Sequence, residues 1–64
     1  MTTGQIIKQL REERGMTQEQ LAELMGYSHK SSINKIELDK SDLPQSKLVK
    51  FAKIFGVSPC ELLG

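Results

Sequence analysis

The stretch that decides the fold covers residues 17–36 and reads TQEQLAELMGYSHKSSINKI. Thr17, with Gln20 three residues later, is typical of a capping box, and it predicts the start of a helix. Gly26 allows the positive φ that ends a helix, and it predicts a tight turn. Apolar residues recur at intervals of three and four on either side of this turn, as on the buried faces of two short helices. These residues are Leu21, Ala22, Met25, Ile33 and Ile36.

Two short helices joined by such a turn form a helix-turn-helix pattern when their apolar faces pack at a steep angle. Ala22 is small enough to let the two helices cross closely. The second of these helices, between Ser28 and Glu37, has only Ile33 and Ile36 as large apolar residues. Most of its surface is therefore expected to face outward.

The rest of the chain predicts three more short helices and no strand, because β-branched residues do not alternate with polar ones over any run. Proline or serine marks the start of the later helices, and glycine marks the ends. The three helices cover about residues 3–14, 44–56 and 58–63. In the last of them, Leu62 and Leu63 are expected to face the core. The predicted fold is all-α, with five short helices in a single domain that covers residues 1–64.

The size and composition of the chain limit what it can do. Its 64 residues bury only about 60% of the surface that the unfolded chain exposes, which leaves no room for a deep cleft between two lobes. A single cysteine and a single histidine exclude an internal disulfide and are too few for a structural zinc site. The chain contains no nucleophile–base pair, metal-ligand set or phosphate loop. We therefore predict no enzymatic activity, no cofactor and no metal.

The distribution of charged residues along the chain is more informative than the net charge. The net charge of +1 by itself argues weakly against a nucleic-acid binder. Acidic residues predominate in the first part of the chain and lysines in the second, which favours one basic face. Lys47, Lys50 and Lys53 recur at intervals of three and are expected to form a solvated face. No apolar run approaches the roughly 18 residues of a membrane span, and no signal peptide is present, so we predict a soluble, intracellular protein.

The sequence resembles the Cro/repressor-type domains, which include the N-terminal part of the phage lambda repressor. The resemblance extends from Gln5 to Leu63, and its order and spacing are more specific than any single residue in it. The matching residues are Arg11, Gly15, Met16, Thr17, Gln18, Leu21, Ala22, Gly26, Ile33, Ile36, Glu37, Gly56, Val57, Ser58, Pro59, Glu61, Leu62 and Leu63.

The chain departs from the family pattern at two places. Members usually have one position fewer between the turn glycine and the first apolar residue of the next helix, here Gly26 and Ile33. We therefore expect one extra residue between Tyr27 and Ser31, which affects the order of side chains that meet a ligand. Asp39 stands where the family often has glycine, and aspartate tolerates the left-handed conformation better than most residues.

The resemblance implies that the third helix lies in the major groove of duplex DNA. Lysine can donate to guanine, asparagine can pair with adenine, and serine can serve either base. The side chains that would contact bases are Lys30, Ser31, Asn34 and Lys35, with His29 and Ser32 as further candidates.

Other residues are implied to hold the reading helix in place. The resemblance gives phosphate contacts to Gln18, Lys40 and Ser41, which would position the protein without reading sequence. Arg11 and Glu37 are expected to form a fork-shaped ion pair that anchors the third helix to the scaffold.

More than one function is open from the sequence. The first is a bacterial or phage repressor that binds a two-part operator as a homodimer in the cytoplasm, at the nucleoid, with half-sites about one helical turn apart. The apolar end around Phe55, Leu62 and Leu63 is its expected self-contact. The chain would be a whole Cro-like protein or, slightly favoured, the front domain of a longer repressor. An antitoxin or a restriction-modification controller would use the same domain, and a protein-interaction module would agree with the low net charge. Neither a membrane nor a small-molecule substrate is expected.

Overall fold

The computed structural model describes all 64 residues and contains four α-helices followed by one 3₁₀ helix. The helices are α1 Thr3–Glu13, α2 Gln18–Met25, α3 Lys30–Glu37 and α4 Gln45–Phe55, and the 3₁₀ helix is Pro59–Leu63. The chain has no strand, so the predicted all-α fold is confirmed. The fifth predicted helix is a 3₁₀ helix because so short a segment closes i→i+3 bonds, such as that from the Glu61 N–H to the Ser58 carbonyl at 3.1 Å.

The ends of the helices follow from local chemistry. The Gln20 N–H donates to Thr17 Oγ1 at 3.0 Å and the Thr17 N–H donates to Gln20 Oε1 at 2.9 Å, so the predicted capping box is confirmed. Gly26 has a φ of 81°, in the left-handed region that favours glycine, and it ends α2 as predicted. Helix α4 begins at Gln45, with Pro44 as its N-cap and not inside its first turn.

One apolar core joins all five helices. Its buried side chains are Ile7, Leu21, Ala22, Met25, Ile33, Ile36, Leu48, Phe51, Ala52, Phe55 and Leu62. The expectation that Leu63 also faces the core is wrong, because it is 63% exposed. Neighbouring residues of a 3₁₀ helix point about 120° apart, and Leu63 points away from the side on which Leu62 meets the core. None of the helices has both the length and the apolar surface that crossing a lipid bilayer requires.

The core also overturns the expected self-contact at the C-terminal end. Phe55 and Leu62 are only 3% and 0% exposed. Their surfaces are covered by the chain's own helices, so they cannot pack against a second copy without unfolding. Of the three residues in that expected contact, Leu63 alone remains accessible.

A hydrogen-bonded clasp ties the start of α1 to the loop after α3. Asp39 lies in this loop with a φ of 58°, so the left-handed conformation expected at this position is confirmed. Its carboxylate accepts from the Gly4 N–H at 3.0 Å and from the Thr2 hydroxyl. A negative charge at the start of a helix is favourable, since the free N–H groups there carry partial positive charge. The clasp therefore caps α1 and positions the end of α3.

Replacing Asp39 with alanine is expected to lower the free energy of unfolding by about 1–2 kcal/mol. The variant loses a helix cap and places a Cβ-bearing residue without a local hydrogen bond at positive φ. Asp39→Gly removes the carboxylate but relieves the backbone, so it separates the two terms and should cost less than Asp39→Ala. Urea unfolding followed by far-UV circular dichroism measures both. Midpoints equal to that of the unmodified chain would show that the clasp contributes nothing.

Candidate nucleic-acid interface

Helix α3 has one buried and one exposed face. Ile33, Ile36 and Glu37 are buried between α3 and the rest of the chain. The exposed residues of the helix share the opposite face, because positions four apart lie above one another. They include all four side chains predicted to contact bases: Lys30, Ser31, Asn34 and Lys35. The structure thus brings these four together on a surface that no other part of the chain covers.

The two further candidates lie at the edge of this surface. His29 is exposed and is the N-cap of α3, but its side chain makes no capping hydrogen bond. Ser32 is half-buried. The turn comprises residues 26–29, and α3 becomes regular at Lys30 with Ile33 fully buried. The extra residue expected between Tyr27 and Ser31 stays a prediction.

Two lysines of α4 contact the end of α2 and this turn. Lys50 Nζ donates to the Met25 carbonyl at 3.2 Å, at the C-terminal end of α2. Lys47 Nζ lies 5.2 Å from the centre of the Tyr27 ring, in cation–π geometry. Burial raises the pKa of the Tyr27 phenol. The expectation of a purely solvated lysine face is therefore wrong for Lys47 and Lys50, because long lysine side chains can reach a neighbouring helix end.

The predicted partners Arg11 and Glu37 are in contact. Arg11 Nε donates to Glu37 Oε2 at 2.7 Å and Arg11 Nη2 donates to Glu37 Oε1 at 3.3 Å, in a fork-shaped contact. Both residues are buried, with 8% and 5% exposure. Arg11 Nη1 also donates to the Met16 carbonyl at 2.7 Å. One guanidinium therefore joins α1, the end of α3 and the segment that leads into α2.

Sequence reasoning missed the partners of Gln18. Its Nε2 donates to Glu37 Oε1 at 3.0 Å and to Asn34 Oδ1 at 3.3 Å. Asn34 and Glu37 are three positions apart, so they lie on neighbouring turns of α3. That spacing, together with the packing of α2 against α3, was the signal available in the sequence. The phosphate contact expected of Gln18 stays a prediction.

The two remaining phosphate candidates lie beyond the C-terminal end of α3. Lys40 and Ser41 are both exposed. The Lys40 N–H donates to the Lys35 carbonyl at 2.9 Å, and Ser41 Oγ donates to the Asp42 carbonyl at 3.4 Å. The backbone bond holds this loop against the last turn of α3. A positive side chain and a hydroxyl therefore follow directly after the exposed face.

A short helix presented outward by a compact helical scaffold is the arrangement of a helix-turn-helix domain. A family model described as helix-turn-helix matches residues 7–62, and the chain belongs to this family, in its Cro/repressor-type branch. The resemblance stated from the sequence is confirmed.

Known relatives agree with this assignment. The HTH-type transcriptional regulator PuuR of Escherichia coli (strain K12) is 36% identical over 61 residues, which are 95% of this chain and 32% of that protein. The chain thus spans about a third of the length of the curated relatives it matches. The restriction-modification controller protein C.AhdI from Aeromonas hydrophila is 30% identical, with a TM-score of 0.85, over 95% of this chain and 91% of its own. A chain of the SinR protein/SinI protein complex is 36% identical, with a TM-score of 0.80, over 97% of this chain and 60% of its own.

Proposed function

We propose that the chain recognises a specific duplex DNA sequence by placing α3 in the major groove. The observation that carries this proposal is the exposed face of α3, on which Lys30, Ser31, Asn34 and Lys35 lie together. A helix with its side chains is about 10–12 Å across, and the major groove is about 12 Å wide. Lysine, serine and asparagine supply donors that match the acceptors of base edges in this groove.

The same placement gives roles to the residues around α3. Lys40 and Ser41 would contact the phosphate backbone, and His29 and Ser32 would lie at the rim of the groove. Backbone contacts fix the register of a protein on DNA, whereas base contacts select the sequence. The buried Arg11–Glu37 pair would hold α3 at a fixed angle while it does so. This role is one of binding, with no catalytic step and no cofactor.

We further propose that two copies bind a two-part operator and repress transcription in the cytoplasm. One domain makes few contacts, and nonspecific affinities of such modules are on the order of 10⁻⁴ to 10⁻⁶ M. Two copies on half-sites about one helical turn apart would supply the missing specificity. A controller of a restriction-modification system is a variant of this function, and the likeness to C.AhdI favours it. Sedimentation of the chain on its operator as a monomer would contradict the homodimer.

A protein-interaction module is the second candidate. The net charge of +1 supports it, as does the likeness to SinR, which was solved in a complex with SinI. Salt separates the two functions, because phosphate contacts release counterions and weaken steeply as salt rises, whereas an apolar protein contact does not.

Selection of bound sequences from a random duplex pool tests the proposed function, followed by titration of the winner at two salt concentrations. We expect a conserved motif with two related halves and an affinity that falls as salt rises. A pool that shows no enrichment, or binding that is unaffected by salt, would contradict DNA recognition. The selected duplex also serves the experiments below.

Replacing Lys35 with alanine is expected to lower affinity by about tenfold on the best site, since a good base contact is worth about 1–3 kcal/mol. The loss should be smaller on duplexes that carry a different base at the one or two positions that Lys35 reads, because the contact is already missing there. Fluorescence anisotropy on single-base variants of the selected duplex measures it. Lys53→Ala, an exposed lysine near the end of α4, is the control for net charge. Equal losses on every duplex would show that Lys35 contacts phosphate only.

A further inference from the structure

A continuous set of hydrogen bonds leads from the buried ion pair to the exposed face of α3. Arg11 donates to both carboxylate oxygens of Glu37. Gln18 Nε2 donates to Glu37 Oε1 at 3.0 Å, and the same nitrogen donates to Asn34 Oδ1 at 3.3 Å. The series therefore begins inside the protein and ends on a side chain that the proposed function places against a base.

The chemistry of the groups fixes the direction of every bond in this series. A guanidinium only donates, and an ionised carboxylate only accepts. Gln18 must therefore turn its NH₂ group, and not its oxygen, toward Glu37. The second N–H of the same group then meets Asn34, which must present its oxygen to accept it. The orientation of the Asn34 carboxamide is thus dictated from the interior.

This arrangement leaves defined groups free for DNA. Both N–H bonds of Gln18 Nε2 are engaged, so the remaining group of that side chain is the acceptor Oε1, which cannot bind a phosphate oxygen. The free groups of Asn34 are the two N–H bonds of Nδ2 and one lone pair of Oδ1. We propose that Gln18 is a positioning residue, which holds the Asn34 carboxamide with its donors toward the groove. The proposal rests on the proposed function and replaces the phosphate contact expected of Gln18.

The held orientation selects among bases. Guanine offers two acceptors in the major groove, N7 and O6, whereas the hydrogen-bonding group of cytosine there is a donor. Adenine pairs with asparagine through one donor and one acceptor, and the Asn34 oxygen keeps a second lone pair after it accepts from Gln18. We therefore expect Asn34 to favour a purine, whose N7 accepts from Nδ2, over cytosine at the position it meets. Without Gln18 the carboxamide can turn over, and the discrimination against cytosine should weaken.

A double-mutant cycle on single-base variants of the selected duplex tests the proposal. Gln18→Met keeps the length of the side chain and removes its hydrogen bonds. We expect it to reduce the preference at one base position by about fivefold to tenfold, the same position at which Asn34→Ala acts. In the Asn34→Ala background, Gln18→Met should change affinities by less than about twofold, since a residue that acts through another is silent without it. Gln9→Met, on the exposed side of α1, is the matched control.

The opposite results are equally distinct. If Gln18→Met weakens every duplex by one common factor, and does so equally in the Asn34→Ala background, Gln18 contacts phosphate and the inference is wrong. In that case the slope of log affinity against log salt concentration would also become shallower by about one. If the unmodified chain shows no sequence preference, the proposed function fails, and the inference fails with it.

A measurement on the free protein covers the case in which Gln18→Met disturbs the fold. The side-chain NH₂ resonances of Asn34 report its hydrogen bonds directly. We expect them to shift in Gln18→Met and to remain unchanged in Gln9→Met, with thermal unfolding midpoints compared for each variant. Asn34 resonances that do not respond to Gln18→Met would overturn the hydrogen-bonded series itself.

Discussion

Replacing Glu37 with alanine is expected to leave much of the chain unfolded at room temperature. The substitution leaves the buried guanidinium of Arg11 without its charged partner and removes one of the two acceptors of Gln18. Breaking a buried ion pair by removing one partner costs about 3–5 kcal/mol. A domain of 64 residues has a total stability of about 3–10 kcal/mol at the usual values per residue. The loss is therefore comparable to the whole.

The paired replacement distinguishes a buried charge from a lost contact. Arg11→Met together with Glu37→Met removes both charges, and we expect a cost well below the sum of the two single changes. Urea unfolding of the unmodified chain, Arg11→Met, Glu37→Met and the double variant gives the coupling energy. Glu12→Ala, an exposed glutamate on α1, should change the midpoint little. If Glu37→Ala unfolds at the same urea concentration as the unmodified chain, the ion pair does not stabilise the fold.

Replacing Gly4 with alanine is expected to destabilise the fold by about 3 kcal/mol, although alanine is the better helix former. Gly4 is buried where α1 crosses the end of α3. An added Cβ would collide with the Ile36 carbonyl oxygen and would lie 2.7 Å from that of Glu37. These are backbone atoms, so the helices must separate, and overpacking typically costs about 1–3 kcal/mol or more. The gain of about 1 kcal/mol in helix propensity does not offset it.

Two variants show whether the backbone contact is responsible. Lys8→Ala, on the exposed face of α1, should have little effect, which excludes a general intolerance of alanine in the helix. Adding Asp39→Gly to Gly4→Ala removes the third close neighbour, the Asp39 carboxylate at 2.7 Å, but leaves both carbonyls. We expect no recovery of the unfolding midpoint. Recovery in this double variant would place the collision at the side chain of Asp39.

Local signals in the sequence sufficed for several helix ends, because these ends are encoded within a few residues. The Thr17 capping box and the left-handed Gly26 need no information from distant parts of the chain. The buried stripe of α3 likewise follows from spacing alone. Errors arose where the outcome depended on tertiary geometry. Leu63 is exposed because it points away from the side of the last helix on which Leu62 meets the core. Lys47 contacts Tyr27 because α4 packs against the turn.

For the candidate site, too, some features were predicted from local patterns and others were missed. Its exposed residues follow from the face opposite the apolar stripe, and the pairing of Arg11 with Glu37 was expected from the family pattern. The bonds of Gln18 were missed, because residues from two helices meet there and each can donate or accept. Only the fixed polarity of the buried carboxylate decides between those alternatives. A sequence pattern shows which side chains are present. Whether an amide side chain donates or accepts depends on the groups beside it in the fold.

The central claim, that α3 lies in the major groove, is tested most directly by base analogues in the selected duplex. A deaza purine that lacks N7 removes an acceptor from the major groove, whereas inosine in place of guanine removes the amino donor from the minor groove. Both keep the Watson–Crick geometry, although the inosine pair has one hydrogen bond fewer. We predict a loss of about tenfold for the deaza analogue at one or more positions and little change for inosine. Loss of binding with inosine, and none with any deaza purine, would contradict the account.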